Sequence, residues 1–436
     1  MDSESFLVIA AGLVAFAMVS GKLSNTIITP PMIFATFGLV ISGSVLGLAD
    51  VDFDNGIIHT LAELTLIFVL FTDAARIDLK LLRRDHNLPV RLLVGGLPLT
   101  ILAGTGVALL LLPGFTLWEA ALLAAVLAPT DAALGQAVVS SPLVPARIRQ
   151  AINVESGLND GIALPVVLLF ASLASATHAP DDAARGAGAW LQFGAMQIIL
   201  GPIVGLIIGW LGAKAADWAA GNGWMTSALQ GPAALGIALI AFSAAEVVGG
   251  NGFIGAFVAG LVLGNTVRGH CAALFEFAES EGQLLTLLTF LVFGAVLLPP
   301  TLALGVDWRV IVYAVLSLTV IRMIPAALSL FGTGVRGPTT LFLGWFGPRG
   351  LASILFALLV LEEAAIPLRS EILEVTIVTV ALSIVLHGLT AAPGSRWYAR
   401  LIARMGECEE SKPVSEMPSR FGSQPMATAK PESADD

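Results

Sequence analysis

Apolar stretches long enough to cross a lipid bilayer follow one another almost without interruption from residue 6 to residue 391. Charged residues make up only 12% of the 436 residues, against about 25% in soluble domains. A water-soluble fold would therefore lack the charged surface it needs, and we expect an all-α integral membrane protein surrounded by lipid. Two cysteines are too few for a disulfide framework or a metal cluster. The net charge of −10 gives no reason to expect a nucleic-acid partner.

About thirteen such stretches are predicted, each of roughly 17–25 residues. They begin near Phe6, Ile27, Ile57, Leu92, Glu119, Ala151, Trp190, Ala228, Gly252, Leu284, Arg309, Thr340 and Ile372. With this count, lysine and arginine concentrate in the loops on one side of the membrane, and the positive-inside rule assigns that side to the cytoplasm. We therefore expect a multi-pass protein of the cell (inner or plasma) membrane, with its N-terminus outside and its C-terminus in the cytoplasm.

Two of the stretches are interrupted at mid-depth, the fifth by Pro-Thr-Asp at residues 129–131 and the twelfth by Gly-Pro-Arg-Gly at residues 347–350. They lie seven stretches apart, and an odd offset means that the two halves cross in opposite directions. This predicts an inverted repeat of about residues 6–176 and 228–391. Broken helices at corresponding positions of two halves are typical of secondary transporters, although a proline kink and a coincidental offset remain alternatives.

The chain also divides by polarity. Residues 1–405 form the predicted transmembrane domain, with a connecting helix at about residues 190–213 between the repeats. Residues 406–436 are polar and lack apolar periodicity, so we expect them to be a disordered cytoplasmic tail.

Charged side chains at membrane depth are functional candidates, because each costs at least about 2.5–3.5 kcal/mol to insert. The predicted set is Glu63, Asp73, Asp131, Glu155, Asp160, Glu246, Arg322 and Arg349. Acidic residues outnumber basic ones, which favours a pathway for cations or protons over a pathway for anions.

The densest polar cluster lies in the sixth stretch, over residues 153–160. On a helix, Ser156 and Asp160 share one face, and Glu155 and Asn159 share the neighbouring face. Hydroxyl, carboxamide and carboxylate oxygens suit a hard monovalent cation, by the logic that holds for hard divalent ions. A polar contact between helices is the alternative, but it needs fewer hydrogen-bonding groups.

The breaks leave backbone N–H and C=O groups without helical partners. Asp131 is placed to cap the N–H end of the second half-helix of its own stretch. Arg349 is placed to offset the carbonyl end of the first half-helix of its own stretch. The alternative for Arg349 is an ion pair with Glu155, because an isolated guanidinium at this depth is untenable. We expect Asp131 and Arg349 to neutralise the breaks rather than to carry ions.

Four strings resemble those of the monovalent cation:proton antiporters, in the branch that contains NhaP-type bacterial exchangers and eukaryotic sodium/proton exchangers. They are Ala-Pro-Thr-Asp at 128–131, Glu-Ser-Gly-Leu-Asn-Asp at 155–160, Gly-Phe-Ile at 252–254 running to Gly-Leu-Val-Leu-Gly-Asn at 260–265, and Gly-Pro-Arg-Gly at 347–350. The resemblance extends in order over almost the whole membrane region. It implies a thirteen-helix fold with crossed broken helices in a mobile core, and a homodimer.

The resemblance also implies a chemistry: a secondary-active antiporter, without a cofactor and not an enzyme, in which Na⁺ and H⁺ compete for Asp160. Asn159 stands beside that carboxylate, and an asparagine there goes with electroneutral one-for-one exchange in most members, which implies a part in pH homeostasis. Three further residues are implied for the cation site: Thr130, Asp131 and Ser156. Here proline precedes Thr-Asp instead of following it, so a direct ligand role for Asp131 stays open.

The same resemblance implies that Glu155 and Arg349 form a buried charge pair. Arg322 is expected to be the structural partner of an acid. Glu63 and Asp73 fall where relatives carry an auxiliary acid, although Asp73 alternatively caps the inner end of its helix. A separate case is Glu246, which precedes a Gly-Gly-Asn-Gly turn near the outer surface and is either functional or part of a solvated edge.

Other functions remain as alternatives. A K⁺(Na⁺)/H⁺ antiporter of the same fold and a sodium-coupled symporter on the crossed-helix fold fit the same features. An intramembrane hydrolase fits poorly, because no Gly-x-Gly-Asp string occurs and only His387 among the histidines clearly falls within a stretch. A channel would need a repeated carbonyl-filter string, which is absent.

Overall fold

The computed structural model describes residues 3–23, 26–48, 56–84, 86–131, 133–178, 186–267, 272–303, 305–361, 366–405 and 408–411. Over these residues it is all-helical. The helices are α1 (Ser3–Leu23), α2 (Pro30–Ile41), α3 (Gly56–Arg76), α4 (Leu79–Arg84), α5 (Asn87–Arg91), α6 (Leu97–Leu111), α7 (Leu117–Val126), α8 (Gln136–Val139), α9 (Ala146–His178), α10 (Gly186–Gly221), α11 (Ser227–Val247), α12 (Gly252–Thr266), α13 (Ala272–Val292), α14 (Leu298–Ala303), α15 (Trp308–Leu318), α16 (Val320–Ser329), α17 (Gly337–Trp345), α18 (Leu351–Leu361) and α19 (Arg369–Met405).

Several short helices combine into longer membrane-crossing units. A π-helical turn at Leu92–Gly96 joins α5 to α6, and a second at Phe293–Leu297 joins α13 to α14. The pairs α7–α8, α15–α16 and α17–α18 likewise form one unit each, and α4 lies between units. In the described ranges the helices thus form thirteen units, of which eight are long and apolar enough to cross a membrane and four contain shorter apolar helices. The predicted all-α polytopic fold is confirmed.

The two interrupted units break at the predicted residues and touch each other there. The fifth unit loses helical structure between α7 and α8, and the twelfth between α17 and α18. At the crossing, the backbone N–H of Asp131 donates to the carbonyl of Pro348 at 2.8 Å. A capping box formed by Thr116 and Glu119 fixes the start of α7. The two crossed breaks are therefore confirmed, whereas the repeat boundaries at 6–176 and 228–391 stay a prediction.

Helix α12 lies between α3 and α10 at distances that only small residues permit. A Cβ atom on Gly205 of α10 would lie 2.3 Å from the carbonyl oxygen of Gly255. On the other side, a Cβ atom on Gly264 of α12 would lie 1.9 Å from the carbonyl oxygen of Ala75 in α3. Small residues recur at every fourth position in both helices, at 201, 205 and 209 in α10 and at 256, 260 and 264 in α12. Such stripes let membrane helices pack backbone to backbone.

Replacing Gly264 with alanine is expected to destabilise the protein by roughly 1–3 kcal/mol or more, because overpacking against a backbone atom cannot be relieved by a side-chain rotation. The measurement is thermal unfolding of the detergent-purified protein. Gly106→Ala is the matched control: Gly106 lies in α6 with no atom near its would-be Cβ, so alanine there should be neutral or gain about 0.5–1 kcal/mol. A Gly264→Ala protein as stable as the unsubstituted chain would contradict the close packing of α3 and α12.

Part of the predicted disordered tail is ordered. Residues Glu409–Ser411 form a 3₁₀ turn, and Glu409 pairs with Arg147 at the start of α9 at 2.9 Å. The buried Glu410 carboxylate accepts hydrogen bonds from Arg336 N at 2.8 Å and Thr339 Oγ1 at 2.9 Å. Burial raises the pKa of Glu410, but these hydrogen bonds outweigh it and hold that pKa below its usual value. The prediction of disorder is wrong here because the carboxylates meet donors at two helix starts; residues 406–407 and 412–436 lie outside the described residues.

Candidate functional site

The polar face of α9 packs against the break in the fifth unit. Asn159 Nδ2 donates to Thr130 Oγ1 at 2.7 Å and lies 3.4 Å from the Thr130 carbonyl oxygen. The hydroxyls of Thr130 and Ser156 share a hydrogen bond at 3.1 Å. All three side chains are buried. The structure thus brings together three of the predicted site residues from two different units.

Asp160 follows Asn159 on α9 and is 7% exposed. It lies one helical turn from Ser156, on the same face. Because the amino group of Asn159 is held by Thr130, its Oδ1 atom is directed elsewhere, and it accepts no hydrogen bond from the described residues. Two hydroxyls, a carboxamide oxygen and a carboxylate therefore occur within one buried cluster. Oxygen donors of this kind fit a hard cation.

Asp131 caps backbone N–H groups on both sides of the crossing. Its Oδ1 accepts from Ala133 N at 2.7 Å, and its Oδ2 accepts from Leu351 N, the first residue of α18, at 2.8 Å. The predicted capping role is therefore present, but the helix that it caps belongs to the twelfth unit rather than to its own. The reason is that the two breaks cross, which brings the start of α18 within reach of the carboxylate. A carboxylate there also stabilises the positive end of the α18 dipole.

Arg349 performs the reciprocal function. Its Nη1 donates to the carbonyl oxygens of Ala128 and, at 3.1 Å, of Pro129, just past the C-terminal end of α7. The prediction that Arg349 serves the carbonyl end of its own stretch is therefore wrong. Its guanidinium extends across the crossing and neutralises the partial negative charge at the end of the first half-helix of the fifth unit.

The predicted Glu155–Arg349 charge pair is also wrong. Glu155 Oε1 pairs with Arg322 Nη2 of α16 at 2.6 Å, with side chains 5% and 1% exposed. Arg322 reaches this position along the second break, where a Cβ atom on Gly347 would lie 2.5 Å from its Nε. The expectation that Arg322 is the structural partner of an acid is confirmed. Arg349 instead donates through Nη1 to the two backbone carbonyls of the first break.

Three further residues support the crossing and were not predicted as site residues. Ser353 Oγ donates to the Val126 carbonyl at the end of α7 at 2.8 Å. Arg349 N donates to Ser383 Oγ of α19 at 2.8 Å. His387 of α19 contacts the Trp345 carbonyl through Nε2 at 2.9 Å. For Ser383 and His387, the sequence signal was the row of polar residues along α19 at spacings of three and four, which a helix places on one face.

The remaining candidates are Glu246, Glu63 and Asp73. Glu246 is exposed and accepts from Gly252 N at 2.6 Å, so it bridges the turn that opens α12. Glu63 is exposed on α3, and Asp73 is partly buried on the same helix. Asp78 lies between α3 and α4 and caps the start of α4, because its Oδ1 accepts from the N–H groups of Lys80 and Leu81.

Two cavities of very different size meet along α13. The larger, of about 820 Å³, lies between α1, α2, α8 and α13 and is reached by Gln136, Ser140 and Gln283. The smaller, of about 20 Å³, lies between α3, α13 and α18, where Val292 and Ile354 are among its apolar walls. The larger cavity lies on the side where α8 ends, and the smaller one lies on the side toward which α18 runs.

Comparison with known proteins places these features in context. The chain is 30% identical over 266 residues to the Na(+)/H(+) antiporter 2 of Zygosaccharomyces rouxii, an alignment that covers 57% of this chain and 32% of that protein. It is 20% identical over 417 residues to the K(+)/H(+) antiporter NhaP of Alkalimonas amylolytica, which covers 95% of this chain and 70% of that protein. The chain therefore spans about a third of the length of the yeast relative.

Among solved structures, the fold is similar to the sodium proton antiporter MjNhaP1 of Methanocaldococcus jannaschii at pH 8. The TM-score is 0.74 at 19% identity, with 88% of this chain and 99% of that chain covered. The transmembrane sodium/hydrogen exchanger family matches residues 7–397. Since that match includes both crossed breaks and the polar face of α9, the chain belongs to the sodium/hydrogen exchanger family.

Proposed function

We propose that this protein is a secondary-active antiporter that exchanges a monovalent cation, Na⁺ first, for H⁺ in an electroneutral one-for-one cycle. The observation that carries the proposal is the buried Asp160 carboxylate beside an Asn159 oxygen that accepts no hydrogen bond from the described residues. The hydroxyls of Thr130 and Ser156 complete an all-oxygen set for the transported ion. Asp131 is assigned to capping, because both of its carboxylate oxygens already accept backbone N–H groups.

Competition for one carboxylate couples the two ions. A bare carboxylate in the middle of the membrane is costly, so Asp160 holds either a proton or a cation when the site moves. Asp131 and Arg349 offset the helix ends at the crossing, and Glu155 is matched by Arg322. One Asp160 carboxylate takes up one proton or one Na⁺ at a time, which supports one-for-one exchange.

On the proposed topology, with the N-terminus outside and the C-terminus in the cytoplasm of the cell membrane, the end of α8 lies on the cytoplasmic side. The larger cavity lies at this end, and Gln136 and Gln283 provide polar groups there. A homodimer is proposed from the family resemblance.

The function predicts that Na⁺ displaces protons from the purified protein. In weakly buffered detergent solution with a pH indicator, NaCl should release protons in a saturable way. The apparent affinity for Na⁺ should weaken as the pH falls, because H⁺ competes for the same carboxylate. Choline chloride at equal ionic strength is the control. If Na⁺ releases no more protons than choline, single-site exchange is excluded.

The similarity to a K(+)/H(+) antiporter favours K⁺ as the second candidate ion. The same titration with KCl and LiCl ranks the cations on one preparation. A sodium-coupled symporter would bind Na⁺ without releasing protons in the absence of an organic substrate, so this measurement also separates symport from exchange.

A further inference from the structure

An apolar groove of about 420 Å³ lies between α16, α17 and α19 near the end of α19 that we assign to the cytoplasmic side. Met323, Leu341, Trp345, Pro393 and Trp397 are among its walls. Its polar side chains are already satisfied, because Trp345 Nε1 donates to Thr390 Oγ1 at 3.0 Å and that hydroxyl donates to the Leu386 carbonyl. The groove is therefore suited to an apolar occupant.

Three arginines of α19 lie beside or just beyond the segment that lines this groove: Arg396, Arg400 and Arg404. Positions 393, 397, 400 and 404 have the spacing i, i+4, i+7 and i+11, so Arg400 and Arg404 continue the face of α19 that lines the groove. All three arginines are exposed. In the described part of the chain, no acidic side chain forms an ion pair with any of them.

Helix geometry places the side chains of Arg400 and Arg404 on the groove side of their own backbone. Side chains on an α-helix lean toward its N-terminus, which for Arg400 and Arg404 is the direction of Trp397. Arg400 Nε also donates to the Arg396 carbonyl at 3.3 Å, one turn nearer the groove. With a rise of about 1.5 Å per residue, Arg400 lies about 4.5 Å along the helix from Trp397.

A neighbouring face of α19 is fixed to α17. Tyr398 stacks on Phe342 with ring centroids 4.2 Å apart, and its hydroxyl shares a hydrogen bond with Thr339 Oγ1 at 2.9 Å. These contacts hold α19 against α17, so the groove and the arginines have a defined relative position.

We propose that this groove binds an anionic phospholipid, with one acyl chain along Trp345 and Trp397 and the phosphate among Arg396, Arg400 and Arg404. The positive charge selects a headgroup of opposite sign, and the adjoining apolar wall selects a lipid over free phosphate. Tryptophans at the membrane interface suit this depth, and juxtamembrane basic residues attract anionic lipids.

The test is native mass spectrometry of the full-length protein titrated with phosphatidylglycerol or phosphatidylcholine of identical acyl chains. The unsubstituted protein should retain phosphatidylglycerol more tightly than phosphatidylcholine. The double variant Arg400→Gln/Arg404→Gln should lose about tenfold or more of its affinity for phosphatidylglycerol, since each basic residue near an anionic surface contributes a factor of about five. Trp397→Ala should weaken binding of both lipids.

The matched control is Lys80→Gln/Arg83→Gln, which removes two exposed positive charges from α4 and should leave phosphatidylglycerol binding unchanged. Glycerol 3-phosphate, added at the same concentration, should not displace the lipid. Equal retention of the two lipids by the unsubstituted protein would overturn the proposal without the use of any variant. The proposal would also be overturned if the arginine or tryptophan variant bound lipid unchanged, or if the control variant lost as much phosphatidylglycerol affinity as the arginine variant. Displacement of the lipid by glycerol 3-phosphate would overturn it as well.

Discussion

Replacing Asp160 with asparagine is expected to reduce Na⁺-driven proton movement to the level of vesicles without the protein. The variant keeps the size of the side chain but can neither take up a proton nor supply the negative charge that binds a cation. The measurement is dequenching of a ΔpH-sensitive dye in everted vesicles after Na⁺ addition. Retained exchange in Asp160→Asn would exclude the proposed role of this carboxylate.

Stability separates a transport role for Asp160 from a structural one. Stabilisation by the transported cation distinguishes the two roles, because only a carboxylate of the cation site is needed for it. Na⁺ should stabilise the unsubstituted protein by mass action, and this stabilisation should disappear in Asp160→Asn. Glu371→Gln is the control: this exposed carboxylate at the start of α19 should be dispensable for exchange and for stabilisation by Na⁺.

Breaking the Glu155–Arg322 pair is expected to give the largest loss of stability. Glu155→Leu leaves the Arg322 guanidinium buried without its counter-charge, and removing one partner of a buried ion pair costs about 3–5 kcal/mol. Arg322→Met should cost a similar amount. The double variant Glu155→Leu/Arg322→Met should recover most of the loss, because an apolar pair of similar volume replaces the ionic one.

A double-mutant cycle on unfolding in detergent tests which arginine is the partner. Glu155 and Arg322 should show strong coupling, whereas Glu155 and Arg349 should show weak coupling, because Arg349 donates to backbone carbonyls instead. Arg309→Met, at a partly exposed position near the start of α15, controls for loss of an arginine. Strong coupling between Glu155 and Arg349, or a double variant no better than the singles, would contradict the observed pairing.

Local patterns in the sequence predicted the apolar units, the two breaks and the polar face of α9. Thirteen apolar units follow from hydropathy alone, and the breaks follow from Pro129 and Pro348, whose missing N–H groups interrupt the helices. The shared face of Ser156 and Asp160 follows from helical periodicity. These features depend on local sequence and not on contacts with distant parts of the chain.

Partners across the fold were not predictable in the same way. Glu155 meets Arg322 rather than Arg349 because the packing of α9 against α16 decides which guanidinium lies within reach, and residue types at membrane depth carry no such information. The same applies to Asp131, whose Ala133 bond is local while its Leu351 bond spans 220 positions of sequence. Glu246 was ambiguous because a carboxylate beside a glycine turn serves equally well as a cap or as a site.

The reciprocal contacts at the crossing have a consequence for biosynthesis. The carbonyls of Ala128 and Pro129 depend on Arg349, and the first turn of α18 depends on Asp131. A ribosome adding about 5–20 residues per second needs on the order of 10–40 s to travel between these positions. During that interval the earlier half enters the bilayer without the residue that neutralises the carbonyl end of its interrupted helix. If the two halves were produced as separate polypeptides, neither would form the crossing without the other.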